Sequence, residues 1–121
     1  MMKNIEYNYR PIDPKSPIEI KASKIDGLGL FAKANISAGT YLGTTHILVD
    51  GDLIRTPMGG FINCSKTPNA KLFQLPKVKR SNYYGINTIR DIADGEEITI
   101  DYNQGMSLIL GEEVNLLNLK C

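Results

Sequence analysis

Three short segments of the chain hold residues whose types and spacing bear on chemistry. They are Gly27-Leu28-Gly29-Leu30-Phe31-Ala32, Phe61-Ile62-Asn63-Cys64-Ser65-Lys66-Thr67-Pro68-Asn69 and Gly95-Glu96-Glu97-Ile98-Thr99-Ile100-Asp101-Tyr102. A glycine pair one residue apart is either a tight turn after a strand or a place where backbone approaches a ligand too closely for a Cβ. Asn63 brings a planar amide that both donates and accepts, yet by itself it is equally a turn residue capping the loop at Pro68. Tyr102 read alone is a strand-end aromatic of the core. An isolated G-x-G is far more often a turn than a cofactor loop, so the three segments inform only together and in this order. Metal chemistry finds little support, because His46, Cys64 and Cys121 are one short of the usual four soft ligands, and no zinc is expected.

The elements that must position these residues are short. Six prolines and eleven glycines cut the chain into pieces that are mostly strand-like: Ile18-Glu19-Ile20-Lys21-Ala22, Tyr41 to Val49, Tyr83 to Ile89 and Glu97 to Tyr102 alternate and are rich in β-branched and aromatic residues. The chain reads as mainly β with little helix. Asp50-Gly51, between His46-Ile47-Leu48-Val49 and Leu53-Ile54-Arg55, predicts a hairpin, since such a turn tolerates positive φ. Ile36-Ser37-Ala38-Gly39-Thr40-Tyr41-Leu42 and Ile92-Ala93-Asp94-Gly95-Glu96-Glu97-Ile98 share the pattern Ile-x-x-Gly-x-x-aliphatic. The echo predicts two turns with left-handed glycines, each leading into a strand, and hence two small sheets. Met106 to Leu119 is the best helix candidate, weakened by Gly111; its apolar residues need a partner surface, this domain or a second copy.

At 121 residues the chain is one domain spanning 1–121, with room for a single core and none for a separate targeting module. A net charge of +1 with acids and bases interspersed argues against direct nucleic-acid binding, and Lys77, Lys79 and Arg80 read as a solvated loop. Met1 to Pro17 lacks the apolar core of a signal peptide, and no run has the length of a membrane span. A soluble intracellular protein is expected, and in that setting two free thiols rather than a disulfide.

In their order and spacing the three segments resemble the SET domain, over roughly Ile18 to Tyr102, with 103–121 as a C-terminal segment. The likeness is close to the minimal stand-alone SET proteins of viruses and bacteria, which extends the expected setting to the cytoplasm or a host nucleus. It implies a β-clip fold with knot-like C-terminal threading. It also implies transfer of a methyl group from S-adenosylmethionine to lysine side chains of a protein or peptide, histones among them. By resemblance Gly27, Leu28 and Gly29 lie along the methionine end of the cofactor. Gly60 to Asn69 resembles the family pattern R-F-I-N-H-S-C-x-P-N, which implies that Asn63 binds the amino-acid end and that Cys64, where the family has histidine, meets the adenine through its backbone. Tyr102 falls on the catalytic tyrosine.

The chemistry this implies is demanding. A lysine amine has a reference pKa of about 10.4, and lowering it by about three units needs roughly 4 kcal/mol of environmental bias. Desolvation in a narrow channel and the positive sulfonium both act in that direction. A phenol at the channel end then orients the amine, serving first as an orienting group and only secondarily as a base. Tyr41, Tyr83 and Tyr84 are channel candidates, because aromatic faces hold a methylated ammonium; strand aromatics are also ordinary packing. Two parts of the family pattern are reduced: only the Gly51 hairpin stands where larger members carry an insert, and 103–121 has no aromatic residue to cover an adenine. The alternative reading is a non-catalytic β-clip module that binds a peptide or assembles with itself.

Overall fold

The computed structural model describes residues 12–111. Eight strands form two four-stranded sheets. The first has the order β1-β2-β8-β5, from β1 (Ile18–Ala22), β2 (Leu28–Ala32), β8 (Glu97–Ile100) and β5 (Asn63–Cys64). The second has the order β4-β3-β7-β6, from β4 (Asp52–Arg55), β3 (Tyr41–Val49), β7 (Ser81–Thr88) and β6 (Ala70–Gln74). Among the described residues there are two helices, α1 (Pro57–Phe61) and α2 (Tyr102–Leu110). The mainly β, two-sheet expectation holds.

The hairpin at Asp50-Gly51 is present, with both residues at positive φ and Val49 paired to Asp52. The internal echo is a structural joint between the sheets. Ile36 and Ile92 exchange both backbone hydrogen bonds at 2.8 Å, Gly39 and Gly95 stand at φ 80° and 89°, and the two turns deliver the chain into β3 and β8. Beneath them the core packs Ile18, Leu30, Leu72, Ile86, Ile92, Ile98 and Ile100, each almost fully buried.

Strands β2 and β6, like the two-residue β5, escape the sequence patterns. Leu28-Gly29-Leu30 reads as a turn, yet it opens β2, because its carbonyl and amide groups are taken up by antiparallel pairing with β1. Ala70–Gln74 carries no turn punctuation of its own and becomes β6 by pairing with β7.

The C-terminal helix starts earlier than its periodicity predicts. Asp101 is the N-cap, its carboxylate accepting from Asn103 N at 2.9 Å, so Tyr102 is the first helical residue rather than the end of a strand. Gly111 closes the helix at φ 79°. Of the expected apolar face, Ile109 is buried and Met106 and Leu108 pack on the core of this same domain; 112–119 lie outside the described residues.

Candidate functional site

The site is assembled where β5 meets β8. These strands run parallel, with Asn63 opposite Thr99 and Cys64 opposite Ile100. That register puts Asn63 diagonally across from Glu97 on the neighbouring strand, within side-chain reach. The segment is also held in place by Asn69. Buried Asn69 accepts from Thr99 N at 2.9 Å and donates to Glu97 O at 2.8 Å, so one side chain continues the ladder beyond the two residues of β5.

Asn63 ties all three sequence segments together. Its Nδ2 donates to the carbonyls of Asp26 and Leu28 at 3.1 and 3.3 Å, to Ser23 Oγ at 3.1 Å and to Glu97 Oε2 at 2.8 Å. The two carbonyls and the carboxylate can only accept, so this end of the amide must be the NH₂ group. Among the described residues no donor reaches Oδ1, and Oδ1 is not sealed from solvent. The Glu97 carboxylate in turn accepts from Ser23 Oγ at 2.8 and 2.9 Å.

The loop before β2 shows two different uses of glycine. Gly27 sits at φ 46° with nothing within 4 Å of where a Cβ would stand, beside open space. At Gly29 a Cβ would run into Glu97 Oε2 and stand 3.1 Å from Asn63 Nδ2. Gly29 is therefore required by the protein's own packing. Leu28 between them is 47% exposed, an apolar side chain displayed at the rim.

Tyr102 is half-buried at the other end of this region. Its hydroxyl donates to Ile62 O at 2.8 Å, and its backbone N–H donates to Cys64 Sγ at 3.1 Å. Burial pushes the phenol pKa up, the Asp26 carboxylate pushes it further, and Arg55 opposes both. At neutral pH the hydroxyl keeps its proton. The action of Asp26 on Tyr102 places the glycine loop within electrostatic reach of the phenol.

Cys64 is disulfide-bonded, which corrects the expectation of two free thiols. That expectation rested on compartment alone, whereas pairing is decided by what the fold brings next to the sulfur. Cys64 is also buried, opposite Ile100 of β8, which accepts from the following residue, Ser65 N, at 2.9 Å.

The three tyrosines read as channel candidates occupy three different environments. Tyr41 is about half exposed and meets Phe73 edge-on, with ring centroids 5.9 Å apart. Tyr83 lines a cavity of about 470 Å³ with Ile12, Leu42, Ile47 and Met58, a space that contains none of the residues 27–29, 63 or 102. Tyr84 is 3% exposed and belongs to the core, so it offers no face to a ligand.

Sequence reasoning passed over Glu97 and Ser23, and weighed His46 only as a metal ligand. Glu97 lies inside a quoted segment but looks like one of two adjacent surface acids. Ser23 sits in a turn with nothing to mark it. His46 is buried on β3, its Nδ1 2.9 Å from Thr45 Oγ1, and its pKa falls to about 4 through burial and then the charge of Arg55.

Comparison with known proteins bears on this arrangement. The SET domain model matches residues 45–103. A crystal structure of a candidate histone methyltransferase of Plasmodium falciparum superposes with a TM-score of 0.62 over 73% of this chain and 94% of that one, at 20% identity. The fold is that of a SET domain. No curated protein matches the chain. The match from 45 to 103 takes in β5, β8 and Tyr102 but not the glycine loop, which the SET-domain architecture joins to them through the Asn63 contacts. No helix among the described residues is long and apolar enough to cross a membrane.

Proposed function

We propose that this SET-domain protein is an S-adenosylmethionine-dependent methyltransferase acting on lysine side chains of a protein or peptide. The observation that carries the reading is convergence. One amide, that of Asn63, joins the glycine loop to Glu97, and the residue before it accepts the hydroxyl of Tyr102. Segments separated by 34 to 40 residues thus meet within one patch.

The residues fit a cationic ligand. Among the described residues Asp26 and Glu97 make no ion pair and no donor reaches the Asn63 carbonyl oxygen, and the backbone at Gly27 borders open space. An ammonium group suits the Asn63 oxygen, and the negative field of the two carboxylates suits both an ammonium and a sulfonium. Gly27 and Leu28 would lie along the aliphatic part, and Cys64 would contribute its backbone. When bound, the cofactor supplies the electrophilic methyl group.

Tyr102 acts as an orienting residue. Its proton is committed to Ile62 O, so its oxygen offers lone pairs to an amine N–H and can hold the nitrogen in line with the methyl group. Its raised pKa makes it a poor base, since a phenolate is scarce at neutral pH.

The alternative, a non-catalytic module, is favoured by one fact: the Asn63 NH₂ group is already consumed by internal contacts. Calorimetric titration with S-adenosylmethionine, with Asn63→Ala beside the wild type, separates the two readings. The enzyme reading expects wild-type binding that weakens by roughly 1.5–3 kcal/mol in the variant. Absence of binding by the folded wild type would leave the module.

A further inference from the structure

We propose that Glu97 is a positioning residue that aims Asn63. Its carboxylate, backed by the Ser23 hydroxyl, captures the Asn63 NH₂ group and leaves Oδ1 as the only part of that side chain a ligand can meet. The inference rests on the reading of Asn63 as a cofactor contact.

A primary amide has two ends of nearly equal shape, and rotating it by half a turn exchanges a donor for an acceptor at little steric cost. A binding asparagine is useful only if that rotation is suppressed. Here the inner end meets a carboxylate, two backbone carbonyls and a hydroxyl that donates to the same carboxylate. A flipped amide would set oxygen against three groups that can only accept.

The two carbonyls belong to Asp26 and Leu28, where the chain enters β2 from the turn. Glu97 instead stands on β8, paired with Phe31 of β2, in the middle of the first sheet. It also makes the shortest of the four contacts, at 2.8 Å. A carboxylate suits the task better than a carboxamide because both its oxygens accept, so it has no flip of its own to resolve.

Gly29 supplies independent support. The atom that a Cβ there would strike is Glu97 Oε2, the oxygen that receives Asn63. The second glycine of the pair is therefore explained by admission of this carboxylate to Asn63.

The arrangement predicts that the acceptor matters more than the charge. Glu97→Gln keeps an oxygen for Asn63 and can donate its own amide to Ser23, whereas Glu97→Leu keeps the volume and removes the acceptor. The side-chain NH₂ signals of Asn63 in a proton–nitrogen correlation spectrum report the contact directly. In wild type and Glu97→Gln, hydrogen exchange at this group should be slow and alike. In Glu97→Leu it should speed up by about tenfold or more, as a charge-assisted hydrogen bond is lost. Affinity for S-adenosylmethionine should follow the same order, within about threefold of wild type for Gln and about tenfold weaker for Leu.

Unchanged exchange in a folded Glu97→Leu protein would overturn the proposal, as would a loss of affinity with the Asn63 signals undisturbed. Should Glu97→Leu fail to fold, Glu97→Asp withdraws the carboxylate by one methylene, leaves Ser23 and both carbonyls in place, and should still accelerate exchange at Asn63; no change there is the contrary result. If the wild type does not bind S-adenosylmethionine, the functional reading fails, while the exchange comparison still decides whether Glu97 holds Asn63.

Discussion

The Tyr102 hydroxyl lies 2.8 Å from the carbonyl oxygen of Ile62 and donates to it, so the phenol that faces the site is anchored to the residue just before Asn63. Tyr102→Phe keeps the ring and its packing but loses this bond and the lone pairs on the phenol oxygen. The variant should retain S-adenosylmethionine binding, lose about 0.5–1.5 kcal/mol of stability, and transfer methyl groups about 10²–10³-fold more slowly. Tritium transfer from labelled cofactor to histones and to a mixed protein extract measures the rate. Equal labelling by both proteins would remove Tyr102 from the reaction.

The two glycines of the loop should respond differently to alanine. At Gly29 the new methyl group meets Glu97 and Asn63, so Gly29→Ala should lower the melting temperature and weaken cofactor binding together. At Gly27 there is open space and only the left-handed backbone to accommodate, which costs about 1 kcal/mol. Thermal melts of the two variants should therefore rank Gly29→Ala well below Gly27→Ala. The reverse order would mean that the Glu97 carboxylate yields easily.

His46 should make the protein sensitive to mild acid. In the unfolded chain the imidazole takes up a proton near pH 6.5, whereas in the fold it does so only at about 4. Protons thus favour the unfolded state between those values. Stability contributed by the neutral ring is intact above pH 6.5 and falls away as the pH drops to about 4, by about 3 kcal/mol in all. Denaturant melts across that window should show the slope, and His46→Gln should flatten it. A wild-type curve with no slope there would place a charged His46 in the fold.

Ile109 tests whether α2 is part of the body of the domain. It is 6% exposed and contacts the core, so Ile109→Ala should cost about 2–5 kcal/mol in a urea titration. A cost below about 0.5 kcal/mol would mark the helix as loosely attached.

Much of the architecture is visible in the residue order, and the parts that are not have local causes. The β3 strand and the Gly51 hairpin follow from alternation and turn chemistry, which are properties of neighbouring residues. The Ile36 and Ile92 turns are recognisable as a pair, although their direct hydrogen bonding to each other is a tertiary fact. Strand β2 is hidden because its glycines signal a turn, and pairing on both sides overrides that preference. At the site, Asn63 and Tyr102 stand out by type and spacing. Glu97 does not, since a carboxylate declares itself only through what lies across the sheet, and its partners Ser23 and Asn63 are 74 and 34 residues away. Cys64 shows the limit in the other direction, where an argument from cellular setting gives way to proximity.

The parallel pairing of Asn63–Cys64 with Thr99–Ile100 governs what a ribosome must finish before the protein can close. Strand β5 sits at a sheet edge with β8 as its one ladder partner, so a nascent chain halted before residue 100 leaves it unpaired. During the seconds of synthesis that separate the two strands, β2 too is bounded on one side only. Contacts that span so much of the chain are slow to form, because the entropy of loop closure is spent before any of them is made. Translational pauses between Cys64 and Thr99 would therefore lengthen the exposure of apolar β1 and β2 residues to chaperones and proteases. A chain ending before Glu97 would lack the carboxylate partner of Asn63, the ladder partner of β5 and Tyr102 together.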